Sequence, residues 1–479
     1  MNLFKKIKNI SIDKIRNLFG KFGIEIQKTK SLDYEIHKLQ SITNSEAKLF
    51  AAEELVNMYP KHPKPHLELA ICLHDLDDIR QYEQMKRHGK VLREWLIQTG
   101  LDALDMEFIK QATVVGSLGN HFCIQILIRA NQCGLRPAKK TFLLLPPKSE
   151  LRNPALFSYF EPYLHVIRDE ESIQTLRKLE TLITLPLGVG IPINDGFPFL
   201  DIAANLCEIE LEKQGLKTAL FCLSDKHRNM GEKVLKKLGL PKDAWYVTLH
   251  VREPSYRAET PGNTTENWRN ANPLDYLKAC EIITRAGGWV FRMGDSSMTP
   301  LPPMPQVIDY ALNDIRSDWM DVFLGATCRF LIGTGSGYYI IPAFFGVPVM
   351  FTNFPGFIQY YGLKSHDLYL PRWLKNNQTN KLISFKEYMS PPAGNYNSIK
   401  HFHNAGLTWI ENTPEELVVA TEEMLERTDD GFSSTIQDTD LQSCFKILAE
   451  TSGLKYGVPA VKAFAPISRD FLERHADLL

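Results

Sequence analysis

Between Trp245 and Phe354 short apolar runs alternate with stretches of helical periodicity. WYVTLHVRE (245–253), GWVFRMGD (288–295), PQVIDYA (305–311), CRFLIGTGSG (328–337) and VPVMFTNF (347–354) are the runs; PLDYLKACEIITRAG (273–287), DWMDVFLGA (318–326) and YYIIPAFFG (338–346) lie between them. Short apolar runs bounded by Gly, Pro or polar clusters read as strands buried on both faces, and the stretches between them as crossover helices. The alternation predicts a doubly wound parallel sheet. A weaker form of the same texture begins at Thr141. TFLLL (141–145), YLHVI (163–167) and TALFCLS (218–224) read as strands, 200–214 and 225–238 as helices, and GVGIPINDGFPF (188–199) as a Gly/Pro loop.

Residues 35 to about 136 carry helical spacing instead. Leu49, Ala52, Leu55 and Val56 mark one face, Pro60 and Pro63 break the chain, and Leu67, Leu69, Ala70, Leu73 and Leu76 mark the next. This is similar to a tetratricopeptide-like hairpin, although no clean 34-residue repeat is present. Near the C-terminus Thr413, Pro414 and Glu416 form an N-cap, first-turn proline and capping box. A chain of 479 residues exceeds what one hydrophobic core supports. The expected domains are a basic amphipathic helix (1–30), a helical module (31–140), two α/β lobes (141–240 and 241–430), and terminal helices (431–479) returning to the first lobe.

The formal net charge is -1, from 55 basic and 56 acidic residues, which argues against a whole-chain grip on nucleic acid. Residues 1–30 nonetheless hold eight Lys/Arg against two acidic residues, a local +6. Leu3, Phe4, Ile7, Ile10, Ile15, Leu18, Phe19 and Phe22 fall on one face of this segment. Residues 1–24 therefore suit either peripheral contact with an anionic membrane surface or docking on the protein itself. They do not read as a signal peptide, and no apolar run reaches membrane-span length. The eight cysteines are scattered without CxxC or CxxH pairs. They read as buried small hydrophobes in a reducing, cytoplasmic compartment. No metal site is expected; the DxD tripeptides 75–77 and 438–440 lie outside the sheet motifs.

The polar groups collect at strand ends, where ligands of open parallel sheets bind. His250, Arg252 and Glu253 follow one strand; Arg292, Gly294 and Asp295 another; Asp309 a third; Gly333, Thr334, Gly335, Ser336 and Gly337 a fourth. The GTGSG turn lies between a strand and a helix, a geometry suited to an anion on backbone N–H groups and a hydroxyl. It is neither GxGxxG nor a P-loop, which lowers ATP hydrolysis and ordinary dinucleotide binding. Arg252 offers a fork suited to a diphosphate. His250, two residues earlier on the same strand face, suits a phosphate contact or a buttress for the arginine. The loop after Arg252 adds Arg257, Arg269 and Asn270 as donors, with Glu253, Glu259 and Glu266 as carboxylates. Asp295 is either a partner for sugar hydroxyls or a turn residue.

LHVRE (249–253), RN (269–270), GGWVFRMGD (287–295), VIDYA (307–311), DWMDVFLGATCRFLIGTGSG (318–337), FGVPVMFTN (345–353) and APISRDFLERHADLL (465–479) together resemble a family of bacterial glycosyltransferases associated with surface-polysaccharide gene clusters. More distantly, the His-x-Arg strand end and the Ser-Gly turn are similar to GDP-fucose fucosyltransferases of the GT-B fold. There the matching arginine holds the donor diphosphate, which assigns that role to Arg252, and the late turn carries over to Ser336 and Gly337. The Arg-rich continuation of the fucosyltransferase motif is replaced here by EPSY (253–256), so the resemblance does not fix GDP-fucose as donor.

The resemblance implies an α/β, GT-B-like protein with two Rossmann-type lobes, the first taking the acceptor and the second the donor. Its expected activity is metal-independent, inverting transfer from a nucleotide-diphosphate sugar, GDP-sugar slightly favoured, to a surface-glycan or lipid-linked acceptor, with no cofactor. Cationic and backbone donors at the diphosphate would favour the charge that grows there during transfer. Arg252 is the expected electrophilic residue, with Glu253 and then Glu259 as proton acceptors. A nucleotide-sugar epimerase on the same fold and a non-catalytic assembly adaptor are the alternatives.

Overall fold

The computed structural model describes residues 31–76, 78, 80–194, 196–254, 269–354, 364–390, 392–395, 399–430, 432–452, 454–455, 458–459 and 465–479. The basic segment 1–30, Arg257, Glu259 and Glu266 lie outside the described residues. The described chain forms two compact units, the first from residues up to 111 with 134–145 and 164–199, the second from 112–133, 146–163 and 200–479. The units interleave along the chain.

In the first unit a helix over 31–40 is followed by α1 (Ser45–Met58), α2 (Pro63–Asp75) and α3 (Arg80–Thr99). Asn44 caps α1 by accepting the Ala47 N–H at 2.8 Å, and Pro63 opens α2, where its missing N–H leaves no bond unmade. Leu32, Ile36, Leu39, Leu55, Val56, Leu69 and Leu73 close a core between these helices. Four parallel strands follow: β1 (Met106–Ile109), β2 (Lys140–Leu144), β3 (His165–Ile167) and β4 (Thr184–Leu185), in spatial order β3-β2-β1-β4. β1 falls inside the stretch read as helical. Four residues, one of them the buried Glu107, set no period of their own, and the strand character of β1 comes from pairing with β2 and β4. Phe108, Phe142, Leu144 and Ile167 pack beneath the sheet against the helix 170–183.

The second unit carries helices α4 (His121–Gln132), α5 (Leu200–Gln214) and α6 (Asp225–Lys237). Its sheet comprises β5 (Tyr246–His250), β6 (Trp289–Arg292), β7 (Val307–Ile308), β8 (Leu331–Gly333), β9 (Val349–Phe354) and β10 (Leu368–Pro371). All pairs are parallel, in the order β10-β9-β8-β5-β6-β7. Counted from β5 this is the 3-2-1-4-5-6 order of a Rossmann sheet, with its topological switch between β5 and β8. The first unit's sheet repeats the opening 3-2-1-4 of the same order. The protein is thus α/β, with two parallel sheets and a helical N-terminal part.

Three readings change. TALFCLS (218–224) forms no strand; Leu220 and Phe221 are buried and their N–H groups both donate to the Phe344 carbonyl, at 2.8 and 2.9 Å. PQVIDYA shrinks to two strand residues and a 3-10 turn at 310–312, entered through Gln306 at φ 59°. β10 and the antiparallel pair β11 (Trp373–Asn376) and β12 (Leu407–Ile410) had no alternating pattern to reveal them. Thr413 and Glu416 do form the capping box of α9 (Pro414–Arg427), after α7 (Leu277–Arg285) and α8 (Asp318–Thr327). The tail is held by β10 and α9: Tyr369 exchanges bonds with Pro466 and Ser468, and Glu423 accepts from Ser468 and Arg469. Of the eight free cysteines, Cys222 and Cys444 are exposed, not buried as expected. Among the described residues no helix is long and apolar enough to cross a membrane.

Candidate functional site

The register sets the polar strand ends side by side. His250 lies opposite Gly333, Leu249 opposite Arg292, and Phe291 opposite Ile308, so the residues that follow emerge on one rim. At the switch point the two central strands are clasped: Thr334 N–H donates to the His250 carbonyl at 3.1 Å, and its Oγ1 accepts the Arg252 N–H at 2.9 Å. The cationic strand end and the glycine turn, 82 residues apart in sequence, are neighbours.

The glycines of the turn are required by close approach. A Cβ at Gly335 would lie 2.8 Å from the Phe354 ring, and one at Gly337 would lie 2.7 Å from the Gly119 nitrogen. Gly119 belongs to the turn GSLGN (116–120) before α4, which sequence reading did not single out. Its signal is a second Gly-Ser turn leading into a helix, here between the short helix Ala112–Val115 and α4. Beyond Gly337 comes a 3-10 turn and a helix of only five residues, Ile340–Phe344. The expected helix dipole is therefore small, and since the Thr334 and Ser336 N–H groups are given to the His250 and Thr334 carbonyls, the Gly335 and Gly337 N–H groups and the Ser336 hydroxyl are the turn's local donors toward an anion.

Arg252 is buried, with Nη1 donating to Asn270 Oδ1 and its carbonyl accepting the Ala271 N–H at 3.1 Å. Arg269 lies beside the turn, its Cδ 3.4 Å from where a Gly335 Cβ would sit. Arg252, Arg269 and Asn270 thus gather with GTGSG. His250 stacks on Tyr338, ring centroids 5.5 Å apart, and its Nδ1 has no hydrogen-bond partner among the described residues. Burial pushes its pKa down to about 4, helped by Arg292, so the ring is neutral at physiological pH.

Glu253 does not stand as a free base. It is 2% exposed. One oxygen pairs with Arg292 Nη2 and the other accepts the Thr299 N–H at 2.9 Å. Arg292, fully buried, also binds Asp309 at 2.9 Å and the Thr299 carbonyl at 2.9 Å, and Asp309 accepts the Leu301 N–H at 3.0 Å. Glu253, Arg292 and Asp309 are one ionic cluster that fixes the rim. Both Glu253 oxygens are thus turned into the cluster. Asp295 accepts from Ser297 N and Oγ, at 2.9 and 2.5 Å, within its own turn, and Gly294 takes the positive φ of 149° that the turn needs. Among the described residues no group of three or more His, Cys, Asp or Glu side chains could hold a metal ion.

Sequence reading also missed Asn353 and Arg372. Asn353 takes a left-handed φ of 50° at the end of β9, beside a register shift in the β9–β10 pairing. It exchanges reciprocal bonds with Asn412, at 2.6 and 2.8 Å, and donates to Tyr276 at 3.1 Å. Arg372, 3% exposed, donates from Nη2 to the Asn270 carbonyl and to Glu411, the latter at 3.2 Å.

Solved structures similar to this chain are glycosyltransferases. An ADP-heptose LPS heptosyltransferase II of E. coli is 14% identical, over 51% of this chain and 83% of that one, with a TM-score of 0.34. The E. coli heptosyltransferase WaaC with ADP is 11% identical, over 67% and 99%, with a TM-score of 0.29. A glycosyl transferase family 9 protein of Veillonella parvula is 11% identical, over 52% and 68%, with a TM-score of 0.25. No family model and no curated protein matches the chain.

Proposed function

We propose that this protein is a GT-B-type glycosyltransferase that moves a sugar from a nucleotide-diphosphate donor to a surface-glycan or lipid-linked acceptor. The observation that carries the reading is the clasp at the switch point, where Arg252 and the Gly333–Gly337 turn meet at the carboxyl ends of β5 and β8. In this reading Arg252 and the turn amides hold the donor diphosphate, with His250, Arg269 and Asn270 around them. As the glycosidic bond breaks, negative charge grows on the leaving diphosphate, and fixed donors bind that state better than the ground state. Protein donors alone carry this step in the reading, with no metal, and the transfer inverts.

The acceptor hydroxyl must lose a proton. Since Glu253 is engaged with Arg292, the reading assigns this to Glu259. Arg292, Gly294, Asp295 and Asp309 shape the rim toward the donor. Residues 1–24 would hold the enzyme to the anionic cytoplasmic face of a membrane.

The test is thermal shift and calorimetry against GDP, ADP, UDP and CDP, with GDP as first choice. One nucleotide should stabilise the wild type by mass action, and Arg252→Ala should weaken its binding at least tenfold, the scale of a charge-assisted hydrogen bond. Silence to all four would remove the donor-site reading. Product formed from a nucleotide sugar without any acceptor would turn it toward an epimerase.

A further inference from the structure

We infer that Arg372 is a positioning residue for the donor diphosphate, acting on Arg252 through Asn270. This rests on the reading of Arg252 given above. Asn270 is bonded at both ends: its side-chain oxygen accepts from Arg252 Nη1, and its main-chain carbonyl accepts from Arg372 Nη2. Arg372 is itself fixed from three sides. Its main-chain N–H donates to the Phe354 carbonyl at 3.0 Å, its Nε reaches Asn353 Oδ1 at 3.4 Å, and its Nη2 meets Glu411 Oε1 at 3.2 Å. Asn353 and Asn412 are tied by their reciprocal bonds, and Asn412 also donates to the Pro371 carbonyl at 2.8 Å.

The relay therefore runs from the ends of β9 and β10 to the end of β5, from buried Arg372 through half-buried Asn270 to buried Arg252, all in the second unit. The Arg372 bond pins the Asn270 main-chain carbonyl. Pinning it fixes where Oδ1 can hold the Arg252 guanidinium. A guanidinium has many rotamers, and holding it in one before the anion arrives removes an ordering cost from binding. Burial lowers the Arg372 pKa from its usual value, yet an arginine stays charged at any working pH. Only its fork serves an amide carbonyl and a carboxylate from one nitrogen while Nε reaches a third group; a lysine lacks that geometry.

The test is calorimetric titration of the full-length protein with inorganic pyrophosphate, for wild type, Arg252→Ala, Arg372→Lys, Asn270→Ala and the doubles with Arg252→Ala. Arg372→Lys and Asn270→Ala should each weaken pyrophosphate binding roughly tenfold. In the Arg252→Ala background neither should weaken it further, because the relay then has nothing to position. A general packing defect would weaken both backgrounds alike. If Arg252→Ala weakens binding and both relay variants leave it unchanged, or if their effects add fully to it, the positioning role is overturned and the donor-site reading stands. If wild type does not bind pyrophosphate, or Arg252→Ala leaves its binding unchanged, both fall. Asn270→Ala keeps the test decisive should Arg372→Lys fail to fold.

Discussion

Replacing Glu253 by alanine separates a structural carboxylate from a catalytic one. Arg292 has no exposed surface and Glu253 has 3% of its side chain exposed, so the substitution leaves a guanidinium buried beside an empty space. Breaking a buried ion pair by deleting one partner costs about 3–5 kcal/mol. Arg292 keeps Asp309, also at 2.9 Å, and the Thr299 carbonyl, which places the loss near the lower end. The Thr299 N–H loses its acceptor and adds about 1 kcal/mol. Roughly 4 kcal/mol is a large fraction of the 5–15 kcal/mol typical of a folded domain. Two compact units need not unfold together, so a probe inside the second unit is preferable. Cys280 and Cys328 are free and buried there, and pulsed thiol labelling across a urea series reads their exposure directly. The expected result is labelling of both at a midpoint lowered by about 1–2 M urea. The double variant Glu253→Leu, Arg292→Met should recover part of the loss: no guanidinium is left buried without its carboxylate, while Asp309 loses its cation and keeps the Leu301 N–H and partial exposure to water. Labelling within about 0.5 kcal/mol of wild type, the range of a neutral surface change, together with loss of transfer, would refute the structural role and restore Glu253 as the base.

Gly337→Ala puts a methyl 2.7 Å from the Gly119 nitrogen, so the two turns must separate; a cost of about 1–3 kcal/mol is expected, with weakened nucleotide binding, checked by the same labelling and by calorimetry. Burial pushes His62, His88, His121 and His250 down to about 4. The unfolded chain then takes up protons below about 6.5 that the folded chain refuses until about 4, so stability should fall on acidification through that window, by up to about 3 kcal/mol per histidine. The Asp321 carboxyl, pushed up to about 7 by burial, acts in the opposite sense over the same range, so the histidine share is read by difference: urea midpoints at pH 7, 6 and 5 should fall less steeply for His88→Gln than for wild type, and parallel series would contradict the burial of that ring. Thr413→Ala removes the side-chain cap that accepts the Glu416 N–H at 3.2 Å and should cost about 1 kcal/mol, seen as faster amide exchange in the first turn of α9.

The central sheet was legible because its strands are buried on both faces and separated by helices, and that pattern survives in local sequence. β5, β6, β8 and β9 all fall within runs marked from the residues alone. β1 was not, because Met106–Ile109, with Glu107 among them, is too short to carry a period and acquires strand character only from partners more than thirty residues away. The site shows the same division. Arg252 and the GTGSG turn announce themselves by lying at strand ends. Sequence shows Glu253 as a carboxylate beside an arginine but not which arginine it meets; the partner is Arg292, 39 residues on. Arg372 and Asn353 were invisible for the same reason. Their positions depend on a left-handed asparagine at a strand end, and asparagine is only enriched, not diagnostic, in that conformation.

Both polar networks at this rim point to one physical requirement. Apolar packing could stabilise the sheet edge as well as Glu253, Arg292 and Asp309 do, and often better. What it could not do is hold strand-end backbone at fixed angles. Thr299 N–H and carbonyl, and Leu301 N–H, are all bonded by that cluster, so the segment after Gly294 is locked to β5 and β7 together. Asn353, Asn412 and Arg372 do the same on the other side of the switch point, tying β9 and β10 to Asn270. Donors that meet a growing charge are effective only if they need not reorganise when it appears. Directional bonds, each with a single geometry, supply that rigidity where a slippery apolar contact would not. The clasp between Arg252 and Thr334 lies between the two networks, and it is there that stiffness matters most.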